Sequence, residues 1–210
     1  MAHLLLVNSS PRTNSVSSNL TLQFVRDWQA GNPYGRVTDR NLSDGALPLL
    51  TESWIAAAYT PEGQRTIEQR QLLALSDKLI DEVMAADVIL LGVPMHNFSV
   101  PAAFKAWIDQ IARVGKTFTY SELGPQGLVP ANKKVIAVIT RGGVFSSENV
   151  ASDHVAGYLR QVLGFVGLTN LTFVHADRQS SGHEVAAKSA TAARLQLKSL
   201  VKGHLAQQAA

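Results

Sequence analysis

The chain has 210 residues, of which 46% are hydrophobic, with a formal net charge of +3 and no cysteine. That is enough for one substantial α/β domain, and it excludes disulfides, thiolate catalysis and Cys-zinc sites. Only 17% of the residues are charged, which points to some surface buried in an oligomer. The mild positive charge has no Lys/Arg cluster, so it suits an anionic small ligand better than nucleic acid.

Residues 4–7 are wholly apolar and read as a central first strand. The polar loop NSSPRTNSVSSN follows, then a helix with Leu20, Phe24, Val25 and Trp28 on one face, stopped by Gly31, Asn32 and Pro33. Residues 36–42 are mixed in polarity and read as an edge strand. Residues 43–65 carry no clear period and form an excursion with a short helix. Residues 66–84 are helical, with Leu72, Leu79, Ile80 and Val83 inward.

The stretch DVILLGVPMHNFSVPAAFKAWID (residues 87–109) starts as a fully buried strand and ends as a helix. In that helix Phe104, Trp107, Ile108 and Ile111 share one face. Ser99 is its expected N-cap, with Pro101 in the first turn. Residues 115–130 suggest an extended segment or hairpin with an aromatic tip. Residues 135–140 form another apolar strand, ending in Arg141, Gly142 and Gly143. A helix is expected over 150–166, a last strand over 171–174 and a closing amphipathic helix over 185–205, with Ala186, Ala190, Ala193, Leu197 and Leu200 inward.

Five strands alternating with helices imply a parallel sheet with helices on both faces, in one domain spanning 1–210. In a sheet of order 2-1-3-4-5, the loops after the first, third and fourth strands converge at the switch point, where such folds bind ligands. The first loop is hydroxyl-rich and opens a helix, so Ser10, Ser17 and Ser18 could cradle a phosphate with Arg12 compensating its charge. An ordinary serine-rich cap would read the same way. No glycine-rich dinucleotide or P-loop pattern is present. Pro94, Met95, His96, Asn97 and Phe98 form a flat wall. After Thr140, the paired glycines either bring N–H groups close to a ring edge or make a simple turn. Taken together, the three loops match a flavin mononucleotide (FMN). The six histidines have no metal-ligand spacing, so no metal is expected. There is no Gly-x-Ser-x-Gly elbow for Ser-His-Asp hydrolysis. Trp28, Trp54 and Trp107 read as core or interface. The start shows no leader and no apolar run reaches membrane length, so a cytoplasmic protein is the expectation.

At PMHNFSVPAAFKAWIDQIARVGKTFTY, GPQGLV and VITRGG the chain resembles the FMN-dependent NADH-azoreductase family, of flavodoxin-like fold. The resemblance runs over residues 4–193 and includes NSSPRTNSVSS and YLRQVLGFVGL. It implies that Ser10, Ser17 and Ser18, with the Val16 backbone, hold the FMN phosphate. Met95, His96, Asn97 and Phe98 would line the ring, with Asn97 and His96 bordering its reactive part. Thr140, Arg141, Gly142 and Gly143 would meet the pyrimidine edge. Phe118, Tyr120 and Phe145 would cover the substrate pocket, partly from a second subunit of a homodimer. The family often has Tyr where His96 stands and Ser where Thr140 stands. The activity implied is ping-pong, two-electron reduction of azo compounds, quinones or nitroaromatics by NADH or NADPH, with no single side chain as nucleophile. A flavodoxin-like electron carrier, or a binding protein on the same fold, is the alternative. Carriers of that kind are usually acidic, and this chain is basic.

Overall fold

The computed structural model describes residues 1–45, 47–144 and 153–208. Five strands form the main sheet: β1 (His3–Asn8), β2 (Arg36–Asn41), β3 (Val88–Pro94), β6 (Lys134–Thr140) and β7 (Leu171–Ala176). Their spatial order is β2-β1-β3-β6-β7, all parallel. This is the order 2-1-3-4-5 when only the parallel strands are counted. The helices are α1 (Val16–Gly31), α2 (Glu52–Tyr59), α3 (Ile67–Ala85), α4 (Ala102–Ile111), α5 (Ala156–Phe165) and α6 (His183–Gln208).

The apolar runs have a two-residue period that sorts them between two cores. Leu5, Val7, Ile89, Leu91, Val93, Val135, Ala137 and Ile139 face α3, α4 and α5. Leu4, Leu6, Val88, Leu90, Ile136 and Val138 face α1 and α6. Trp28 and Trp107 are 0% and 1% exposed, one in each core. Burying such a side chain contributes about 1.5–3 kcal/mol or more. β2 keeps its mixed polarity because it lies at the edge of the sheet.

Several boundaries differ from the sequence reading. Leu73, not Leu72, turns inward on α3, because α2 packs there through Trp54, Ala57 and Ala58 and leaves Leu72 exposed. Ser99 is not the cap of α4. Pro101 occupies that position without a side-chain bond, and Ser99 pairs with His96 instead. α5 runs from Ala156, and the Asp153 carboxylate accepts the N–H groups of Val155 and Ala156 at its start; the expected start at residue 150 lies outside the described residues. The inward stripe of α6 is Ala193, Leu197 and Val201, with Ala186 and Ala190 only half-buried. Residues 115–130 form the expected hairpin, β4 (Phe118–Ser121) with β5 (Gly124–Gly127).

Candidate functional site

The loops after β1, β3, β6 and β7 meet at the carboxyl edge of the sheet around a cleft of about 390 Å³, within the range of small-molecule sites. Ser10, Arg12, Asn14, Ser15 and Val16 line one end, Pro94, Met95 and His96 the middle, and Thr140, Arg141, Gly142, Gln179 and Ser180 the other end.

The first end rests on a tie between strands. Ser9 donates from both N (3.1 Å) and Oγ (2.8 Å) to the Gly92 carbonyl. Asn8 Oδ1 accepts from Thr21 Oγ1 of α1 at 2.9 Å. A Cβ on Gly92 would lie 2.3 Å from that Oδ1, so only glycine leaves room for the lock that holds the loop. Ser15 caps α1, accepting the Ser18 N–H at 3.3 Å. The amides of Val16 and Ser17 have no acceptor among the described residues, as expected at a helix start. No acidic side chain of α1 itself occupies its first turn, where one would offset the positive end of the helix.

Ser17 and Ser18 take positions that the sequence did not indicate. Ser17 is fully buried, and its Oγ lies 2.9 Å from Ser15 Oγ. Ser15 Oγ accepts from Ser18 N–H, and either hydroxyl of the Ser15–Ser17 pair can donate to the other; when Ser17 is the donor, the Ser15 proton points to a ligand in the cleft. Ser17 thus orients Ser15 and does not line the cleft itself. Ser18 lines a neighbouring hollow with Arg12, Asp39 and Asp44. There burial, and next the Asp44 charge, push the Asp39 carboxyl above its usual value.

The wall loop is a tight turn. His96 N donates to Ser99 O at 2.9 Å, and Ser99 N returns a bond to His96 O at 3.0 Å. Between them Asn97 and Phe98 both adopt positive φ, 48° and 69°. That pair of left-handed residues is the signature of a type I′ turn. Asn tolerates the conformation; for Phe it is an outlier that costs about 1–2 kcal/mol. Phe98 is held there 58% exposed, and strain of this kind collects at ligand sites. Met95 N donates to Thr140 O at 2.8 Å, fixing the wall to β6.

At the far end the amides of Gly142 and Gly143 have no acceptor among the described residues. A Cβ at Gly142 would meet Ser180 Oγ at 2.8 Å, so a side chain there would have to displace Ser180, which lines the same end of the cleft. Arg141 departs from the expected contact. Its side chain is 3% exposed and turned inward to Asp153, Asp177 and His175. Arg141 therefore lines the cleft while its guanidinium is held by protein groups.

Of the residues assigned to substrate, Phe118 is buried in the hairpin base, its ring 4.5 Å from that of Phe165. Tyr120 is exposed on the hairpin and does not line this cleft. Phe145 lies outside the described residues. Asn14, Ser15, Gln179 and Ser180 were missed as cleft side chains. The last two follow β7, and the rule for strand carboxyl ends finds them once that strand is extended to Ala176. Among the described residues no cluster of three His, Asp or Glu side chains could hold a metal ion.

Residues 2–201 match the profile of the flavodoxin-like fold family. An FMN-dependent NADH:quinone oxidoreductase 1 of Hahella chejuensis is 50% identical over 179 residues, covering 85% of this chain and 86% of the relative. An FMN-dependent NADH:quinone oxidoreductase of Nostoc sp. is 43% identical, covering 92% and 95%. The crystal structure of an azoreductase from Bacillus anthracis superposes with a TM-score of 0.87 at 26% identity, covering 96% of this chain and 99% of that one.

Proposed function

Because the chain belongs to the flavodoxin-like family of FMN-dependent NADH:quinone oxidoreductases, we propose that it binds FMN in the cleft at the carboxyl ends of β1, β3 and β6 and uses NADH to reduce quinones and azo compounds. The observation that carries the reading is one cleft with a bare helix N-terminus at one end, a flat wall in the middle and free amides at the other end. The residues fit the group. A phosphate dianion suits the Val16 and Ser17 amides, the Ser15 and Ser10 hydroxyls and the exposed Arg12. The ring suits Met95, His96, Asn97 and Phe98. Its pyrimidine edge suits the amides of Gly142 and Gly143, beside Thr140.

When bound, FMN supplies the two-electron chemistry, taking hydride from NADH and passing the electrons to the acceptor. The chain's own part is to bind, orient and stabilise charge. The Gly142 and Gly143 amides are preorganised donors for negative charge at the ring edge. His96 and the strained Phe98 border the open face, where nicotinamide and acceptor bind in turn. No side chain is required as a nucleophile or general base.

The active unit in this reading is a homodimer in the cytoplasm. Leu49, Ile55, Tyr59, Ile67, Tyr120 and Leu123 are large apolar side chains between 45% and 100% exposed. They supply the surface that a second copy would cover. Steady-state oxidation of NADH tests the function. FMN-loaded protein should oxidise NADH with a quinone or an azo dye, with parallel double-reciprocal lines. No acceptor-dependent oxidation would reject the function, and intersecting lines would reject the shared face.

A further inference from the structure

One carboxylate and one guanidinium join the loops of the cleft. Asp153 divides its oxygens. Oδ1 accepts from Val155 N (3.0 Å) and Ala156 N (3.4 Å), starting α5. Oδ2 accepts from Arg141 Nη2 at 2.5 Å. The next residue, His154, donates its N–H to the Phe98 carbonyl at 3.1 Å, holding the strained wall turn. On the other side Arg141 Nη1 reaches Asp177 Oδ1 (3.3 Å) and His175 Nδ1 (3.0 Å). A guanidinium has no acceptor, so Nδ1 accepts and the imidazole proton sits on Nε2. Burial, and next the Arg141 charge, keep His175 below its usual pKa, consistent with that neutral form.

The backbone repeats the connection. Arg141 O accepts from Gln179 N at 3.0 Å and Gly142 O from Ser180 N at 3.1 Å. The wall turn, the glycine pair and the loop after β7 therefore converge on two side chains that are 3% and 8% exposed. Buried ion pairs seldom add net stability over apolar filling. What this one supplies is a fixed spacing between loops that come from distant parts of the chain.

We propose that Arg141 and Asp153 are positioning residues, a buried clamp that sets the Gly142 and Gly143 amides against the turn of residues 96–99 without either side chain touching the flavin. The proposal rests on the FMN reading above. Its test is Arg141→Lys, which keeps the charge but cannot span three partners. Apo-protein is titrated with FMN and with riboflavin, and the midpoint potential of bound FMN is measured. Both flavins should bind about tenfold more weakly and by the same factor, as expected for one displaced hydrogen bond at the ring they share. The potential should become more negative as donors to the reduced ring move away. Unchanged affinities and potential would overturn the clamp, and so would a loss confined to FMN, which would put Arg141 on the phosphate. If Arg141→Lys does not fold, Asp153→Asn replaces it: the amide oxygen still caps α5, and a matched loss of about threefold on both flavins is expected, with no loss overturning the proposal. A wild-type chain that binds neither flavin would overturn the functional reading, and the clamp with it.

Discussion

Ser15→Ala isolates the phosphate end of the cleft. Ser15 Oγ accepts from Ser18 N and lies 2.9 Å from Ser17 Oγ; with Ser17 donating, its own proton goes to a ligand anion. A hydrogen bond to a charged group contributes about 1.5–3 kcal/mol, which is roughly a 10- to 150-fold loss of FMN affinity. Riboflavin lacks the phosphate and should bind as before. The same change removes the cap of α1, at a cost of about 1 kcal/mol, or roughly 2–4 °C in melting temperature for a chain of this size. Ser15→Gly separates the two effects: it costs only a few tenths of a kcal/mol as a cap yet should lose FMN equally. The assay is quenching of flavin fluorescence on titration into apo-protein, with both flavins and both variants. If riboflavin loses as much affinity as FMN, or if FMN binding survives Ser15→Gly, the phosphate does not sit at this helix.

Lys133 is buried and donates to the carbonyls of Met84 (2.6 Å) and Ala86 (2.7 Å) at the end of α3. Lys133→Ala should cost about 1–3 kcal/mol, for two carbonyls left without their donor, readable as a lower urea midpoint. Phe98→Gly relieves the left-handed backbone of a bulky residue, so stability should hold or rise by up to about 1 kcal/mol while flavin affinity falls; a stability loss above that size would show that the Phe98 ring serves packing. His175 titrates below its usual value, from burial and then Arg141, and His204 moves the same way through burial and Lys134. A base held neutral in the folded state takes up its proton first in the unfolded chain. Stability should therefore be full above about pH 6.5 and fall as the pH drops below it. His175→Asn should flatten that part of a melting temperature–pH curve, and an unchanged slope would remove His175 as a cause.

The parallel sheet was legible because β1, β3 and β6 are covered on both faces, and their apolar runs show it directly. The three ligand loops followed from topology alone. What a linear reading missed is non-local. Leu73 displaces Leu72 only because α2 folds back onto α3. β7 was cut short at His175, a polar residue that lies 3.0 Å from the Arg141 guanidinium, and with it went Gln179 and Ser180. That Ser17 packs inward against Ser15 could not be read from the loop, because hydroxyl count says nothing about which serine faces inward. The inward ion pairs of Arg141 were not legible, because its described carboxylate partners at 153 and 177 carry no pattern that links them to it.

The central claim, one FMN site that takes electrons from NADH and gives them to a quinone, is tested most directly by an anaerobic titration followed in visible light. FMN-loaded protein should lose its flavin absorbance on adding equimolar NADH and regain it fully on adding equimolar quinone, with no NADH remaining. A chain that binds FMN but keeps its colour with NADH, or bleaches and is not restored by quinone, would contradict the account.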